Sequence, residues 1–183
     1  MRQFIMNRHS FEGLDGECTR WRMERTEAMA ERGDMDTTST GRGADEAIIR
    51  QRLGALIGAL AAKDLDAVGE IYATDVVSFD VEPPLQHVGL AAKLNNWVTV
   101  FTLFQELAYE IRELTLAVGD DVAFGHGFGR ISGTLTNGTA TNGMWVRVTF
   151  GFQKIDGHWL ITHDQASVPL DFASGKGMTQ LEP

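Results

Sequence analysis

The 183-residue sequence holds a single cysteine, Cys18, so an internal disulfide framework and a multi-cysteine metal site are both excluded, and a reducing compartment is the default. No apolar run approaches the roughly 20 residues that cross a bilayer as a helix. The start, Met1 to Ser10, lacks the apolar segment of a secretory signal, which makes the cytoplasm the expected location. Positive charge is also short. Sixteen Lys and Arg face twenty-five Asp and Glu, a formal charge of −9, and such a surface repels a phosphate backbone or an anionic membrane on average. Neither nucleic acid nor membrane is an expected partner. What is present, 43% hydrophobic residues in a chain of this length, suits one globular domain with a sizeable core.

Residues 1–43 read as an extension that ends in a linker, Asp36-Thr37-Thr38-Ser39-Thr40-Gly41-Arg42-Gly43. A short helix over about Glu17 to Glu31 is compatible with its residue types, and Trp21 would let the stretch pack as an arm instead of staying flexible. The domain is expected over residues 44–172, with 173–183 as a tail.

Ile49, Leu53, Leu56, Ile57 and Leu60 recur at helical spacing and predict a helix from about Asp45 to Ala62. Asp64 stands where an N-cap would start a second, short helix carrying Leu65, Val68, Ile71 and Tyr72. Val76 to Phe79 follow as a brief strand. After Glu82-Pro83-Pro84, a third helix bears Leu90, Leu94, Trp97, Phe101 and Phe104.

From about Gln105 the pattern changes to strand alternation, first in Leu107, Tyr109 and Ile111, then on the opposite parity in Leu114, Leu116 and Val118. A β-bulge near Arg112 or Glu113 reconciles the two sets. Strands are expected over Val122 to Ser132, Met144 to Lys154 and His158 to Val168, with Thr134 to Gly143 as a loop and Asp156-Gly157 as a tight hairpin turn. Helices followed by a meander imply an α+β fold in which three N-terminal helices pack on one face of a strongly bent antiparallel sheet.

The run Trp145-Val146-Arg147-Val148-Thr149-Phe150, continued by Lys154-Ile155-Asp156-Gly157-His158-Trp159-Leu160-Ile161-Thr162-His163-Asp164-Gln165-Ala166-Ser167-Val168-Pro169, resembles SnoaL-like and ketosteroid isomerase-like proteins of the nuclear transport factor 2-like superfamily. That resemblance implies a cone with an apolar interior, helices on its concave face, a small apolar molecule as partner and a homodimer formed through the sheet. It also implies a general base on the first short strand after a Tyr-Ala-x-Asp run. Here Tyr72-Ala73-Thr74-Asp75 precedes Val76-Val77-Ser78-Phe79-Asp80, so Asp80 falls at the base position. The family's oxyanion donors would correspond to Leu56 and about Thr149, neither of which carries the family's acidic hydroxyl or carboxyl. Where many relatives have a second histidine, this chain has Gln165.

A carboxylate at the end of an apolar strand can take a proton from a carbon acid, or it can simply bind backbone amides near Glu82-Pro83; both readings of Asp80 stand. Asp164 and His126 are the further acid/base candidates. Tyr72, Trp97, Phe101, Thr149, Thr162 and His163 are candidates to line the pocket, with Trp97 equally at home in the core. Strict alternation puts His163 and Gln165 on one face with Trp159 and Ile161, and Thr162 and Asp164 on the other; analogy with the isomerase strand favours the second set as interior. In Gly125-His126-Gly127-Phe128-Gly129 one strand face is bare, which predicts a close neighbour there, whether protein or ligand. The five histidines are too scattered for a metal site, and no cofactor is expected. A proton-shuttling enzyme and a non-catalytic binding or assembly module are the two functions compatible with this pattern.

Overall fold

The computed structural model describes residues 37–183, and residues Gly41–Pro183 form one compact unit. The helix expected over about Glu17 to Glu31 and the Trp21 arm lie outside the described residues. Helix α1 spans Thr37–Ala62, starting earlier than expected because elongating a helix already nucleated by the strong 45–62 segment adds a hydrogen bond per residue, which carries it through Gly41 and Gly43 despite their helix cost. Its stripe is buried as the spacing requires: Ile49, Leu53, Leu56 and Leu60 are each at most 2% exposed. Burying such a side chain contributes about 1.5–3 kcal/mol.

Lys63 takes a left-handed backbone (φ 56°) that ends α1 and lays its ammonium on the carbonyls of Phe101, at 3.1 Å, and Phe104. Helix α2 is Leu65–Gly69, capped by Asp64, whose Oδ1 accepts from the Ala67 amide at 3.0 Å. It is shorter than its stripe suggested. Ile71 lies beyond it, and Tyr72 already begins strand β1, Tyr72–Phe79. After the two-residue strand β2, His87–Val88, helix α3 runs over Leu90–Leu103, and Phe104 turns to extended backbone.

Four long strands follow: β3 Phe104–Val118, β4 Val122–Leu135, β5 Ala140–Ile155 and β6 His158–Ser167. The stretch expected as a loop over Thr134 to Gly143 is mostly strand, and only residues 136–139 turn. The expected bulge is present, with a register shift between Arg112 and Thr115 and a positive φ of 53° at Glu113. Asp156 and Gly157, both at positive φ, form the hairpin turn between β5 and β6.

The sheet order is β2-β1-β6-β5-β4-β3. The meander β3 to β6 is antiparallel as expected, whereas β1 runs parallel to β6 and makes the sheet mixed. That pairing is what brings β1 beside the last strand, setting Ser78 opposite Asp164. A small hairpin, β7 Leu170–Asp171 with β8 Lys176–Gly177, ends the chain, its Met178 amide closing onto the Pro169 carbonyl at 2.8 Å.

The bare face of β4 is filled from within the chain. A Cβ on Gly125 would stand 2.7 Å from Leu116, one on Gly127 2.7 Å from the Arg112 carbonyl, and one on Gly129 2.5 Å from the Tyr109 hydroxyl. Three successive side-chain-free positions therefore let β3 fold hard over β4, and the sheet curls along that line.

Candidate active site

Inside the curl lies a cavity of about 880 Å³, walled by α3, β1, β3, β5 and β6 and closed in part by Thr179 and Gln180 of the C-terminal segment. Its walls are mainly apolar, with Val100, Phe104, Ile131, Val146, Val148 and Phe150 among them. Against this surface stands a compact polar cluster. Asp164 on β6 accepts a 3.0 Å hydrogen bond from the Tyr72 hydroxyl and a 2.8 Å ion pair from Lys93, both on Oδ2. Lys93 also donates to the Ser78 hydroxyl at 2.9 Å and lies 3.9 Å from Asp80 Oδ2. Asp80 in turn accepts from the Val81 amide at 2.8 Å on Oδ1 and from the Asn96 amide nitrogen at 2.6 Å on Oδ2.

Two charged members of this cluster are nearly sealed: Lys93 is 3% exposed and Asp164 7%. Asp80 is the more open carboxylate, its side chain 24% exposed. The Lys93 ammonium rests over the Tyr72 and Trp97 rings, 5.4 Å and 5.6 Å from their centres. Asp164 Oδ1 and the Trp97 indole N–H find no hydrogen-bond partner among the described residues. Burial, followed by the charge of Asp164, pushes the Tyr72 phenol well above its ordinary value. Tyr109, whose ring packs edge-on against Trp97 with centres 6.3 Å apart, is pushed up too, by burial first and then by Asp164 and Asp80. Both hydroxyls are therefore proton donors across the physiological range.

Of the residues singled out from sequence, Asp80, Asp164, Tyr72 and Trp97 line this cavity. Five do not. His126 is exposed on the outer sheet face beside Phe124, because the interior parity of β4 belongs to Ala123 and the three glycines. Thr149 is paired with His126 on the same outer face. Phe101 packs behind Trp97, ring centres 6.2 Å apart, on the core side of α3.

Thr162 and His163 are displaced by a bulge that strict alternation does not anticipate. The register shifts between Gly151 and Phe152, leaving Thr162 unpaired between Ile161 and His163. Trp159 and Ile161 therefore face inward and so does Asp164, while Thr162 donates to the Gly151 carbonyl and His163 Nδ1 contacts the Val77 carbonyl at 2.7 Å. Neither sequence face was interior along its whole length.

Lys93, Asn96 and Tyr109 are the functional candidates the sequence reading missed. Lys93 carried a signal, since it sits three residues after Leu90 and four before Trp97, on the buried face of α3. A lysine at a stripe position implies a buried partner. Tyr109 belongs to the strand alternation of Leu107, Tyr109 and Ile111, which carries no sign of a site. Neither Leu56 nor Thr149 offers a donor to the cavity, whose wall instead carries Lys93, Tyr72 and Tyr109 from other elements. Among the described residues, no three His, Cys, Asp or Glu side chains gather as a metal site would require, and no helix is long and apolar enough to cross a membrane.

The comparisons agree with this architecture. A SnoaL-like domain profile matches residues 49–171. An NTF2-like protein of unknown function from Pseudomonas putida KT2440 superposes with a TM-score of 0.70 at 26% identity, over 77% of this chain and 98% of that one. A candidate dehydratase of the NTF2-like family from Streptomyces avermitilis gives 0.63 at 15% identity, over 71% and 99%. A type 3 hexachlorocyclohexane dehydrochlorinase from Novosphingobium barchaimii LL02 gives 0.62 at 18% identity, over 70% and 88%, and these last two likenesses concern the fold alone. None of the curated proteins matches the chain significantly. With the domain profile covering more than half of its length, the chain belongs to the SnoaL-like family and has the NTF2-like fold.

Proposed function

We propose that the chain is an enzyme of the lyase or isomerase type, in which Asp80 removes a proton from a carbon acid held in the cavity. The observation that carries this reading is the convergence of Asp80, Asp164, Lys93 and Tyr72 in one wall of an otherwise apolar cavity. Ion pairs buried this deeply seldom repay their desolvation, so a fold that keeps one beside a cavity is using it. Asp80 is the carboxylate open enough to meet a substrate, and Asn96 and the Val81 amide fix its orientation. In the forward step the C–H bond breaks, the proton passes to Asp80 and the electron pair moves onto the adjacent carbonyl oxygen. Tyr109, a phenol that stays protonated and lines the cavity, can donate to that oxygen. Return of the proton to another carbon gives isomerisation, and loss of a β-substituent gives elimination. The names of two fold neighbours, a dehydrochlorinase and a candidate dehydratase, describe eliminations.

Turnover of cyclic ketones and β-hydroxyketones by the parent and by Asp80→Asn tests the reading. The substitution is expected to lower kcat by about 10²–10⁴ with ligand binding retained. Turnover unchanged by it would refute the role of Asp80.

A second reading, a non-catalytic ligand-binding and dimeric module, draws on the outer sheet face, where Val122 and Phe124 are 54% and 49% exposed. A homodimer through that face would cover them. Sedimentation of the parent against Phe124→Lys tests it: dissociation is expected, and an unchanged mass would reject the interface.

A further inference from the structure

Among the described residues, the cavity wall carries three carboxylates, Asp80, Glu82 and Asp164, against one ammonium, Lys93. That ammonium gives hydrogen bonds to Asp164 Oδ2 at 2.8 Å and Ser78 Oγ at 2.9 Å, and Asp80 Oδ2 stands 3.9 Å away, within ion-pair range. Its remaining surface is covered by the Tyr72 and Trp97 rings. An organic acid entering the cavity would thus find the one cation already engaged and would face unbalanced negative charge against mainly apolar walls. Coulomb forces are strongest in such surroundings. The whole chain, at −9, adds a repulsive field outside the mouth.

We infer that Asp164 and Asp80 set the charge selectivity of the cavity by masking Lys93, so that it accepts uncharged lipophilic molecules and excludes carboxylates and phosphates. The inference rests on the cavity being the ligand site proposed above, and it concerns binding, not turnover. It has a corollary that a merely apolar pocket lacks. The cation needed for anion binding is present and built in, so removing Asp164, the carboxylate in direct contact with it, converts the cavity from rejecting anions to binding them, and removing the more distant Asp80 weakens the rejection.

Calorimetric titration with two probes of the same skeleton, methyl 2-naphthoate and 2-naphthoate, reads this directly. The parent at pH 7 is expected to bind the ester at least tenfold more tightly than the acid. Asp164→Asn is expected to reverse the preference, and Glu82→Gln and Asp80→Asn to narrow it severalfold, which keeps the test sound if Asp164→Asn does not fold. Equal affinities of the parent for both probes would overturn the inference, and so would a ratio that none of the three variants changes. Failure of the parent to bind either probe would overturn the ligand site itself. Loss of the Asp80 proton-transfer role would leave the charge selection standing, since no turnover enters the measurement.

Discussion

Lys93 on α3 and Asp164 on β6 meet at 2.8 Å in the cavity wall, each almost sealed from water, and their pair joins the helical half of the chain to the last strand of the sheet. Its energetics follow from what replaces water around it. Removing one partner strands the other charge in a low-dielectric space, at a cost of about 3–5 kcal/mol, whereas removing both leaves an apolar wall at little or no cost. Lys93→Met and Asp164→Leu alone should each lower the urea midpoint markedly, and the double variant should return close to the parent. A double variant less stable than either single one would show that the pair is a net source of stability.

The two buried phenols predict how stability falls in alkali. Tyr72 and Tyr109 ionise in the unfolded chain near the ordinary value of 10, and in the fold only well above it. A folded pKa raised in this way gives a contribution that is complete below pH 10 and is lost as pH climbs from there toward the folded value. Urea midpoints measured from pH 8 to 11 should drop above pH 10. The drop should be shallower in Tyr109→Phe, and an equal slope in both proteins would contradict the assignment.

Gly129 is predicted to be intolerant of even one methyl group. Its Cβ would meet the Tyr109 hydroxyl at 2.5 Å and Val148 at 2.9 Å, so Gly129→Ala should destabilise by about 1–3 kcal/mol and displace the Tyr109 ring into the cavity. Adding Tyr109→Phe, which removes the nearest atom, should restore part of the loss. Denaturation midpoints of the two variants decide this.

The C-terminal segment is predicted to matter to the ligand more than to the fold. Thr179 and Gln180 line the cavity, while most of residues 172–183 are exposed. Deleting residues 173–183 should change stability by about 1 kcal/mol or less, because little apolar surface is uncovered. Affinity for methyl 2-naphthoate should fall about tenfold, and an unchanged affinity would remove the segment from the site.

Asp45 offers a test at the acid end. It accepts from Lys154 at 2.8 Å and from the Trp159 indole at 2.9 Å, and these two hydrogen bonds hold its carboxyl below the ordinary range. The contribution is complete above the ordinary value of 3.8 and is lost as pH falls through the lower folded value. Asp45→Asn should therefore be less stable than the parent at pH 6, with the difference shrinking toward pH 2.

Periodicity carried most of the architecture. The stripes of α1 and α3, the Asp64 cap, the bulge near Glu113 and the Asp156-Gly157 turn were all legible because each depends on residues close together in sequence. The parallel pairing of β1 with β6 was not, since nothing local specifies which distant strand an edge accepts. Asp80 and Asp164 could be placed by the family resemblance, through the Tyr-Ala-x-Asp run and the isomerase strand. His163 and Thr162 could not, because an unpaired residue at Thr162 switches the inward set partway along β6, and Gly151 opposite it was the only hint. Lys93 was visible as a lysine on a greasy face, but its meaning needed Asp164, which only the folded chain brings to it.

The glycine row on β4 has an effect on what this interior can become. At Gly127 main chain rests against main chain, while Gly125 and Gly129 take the ends of the Leu116, Tyr109 and Val148 side chains, so the spacing of β3 and β4 along this row is set by close contact. A side chain at Gly127 would force the strands apart, because the Arg112 carbonyl 2.7 Å from its Cβ belongs to the main chain and cannot rotate away. Divergence among related proteins toward larger or smaller molecules would therefore have to proceed from the opposite rim, through α3, the Asp80 loop and the chain's last residues, while this crease stays as it is.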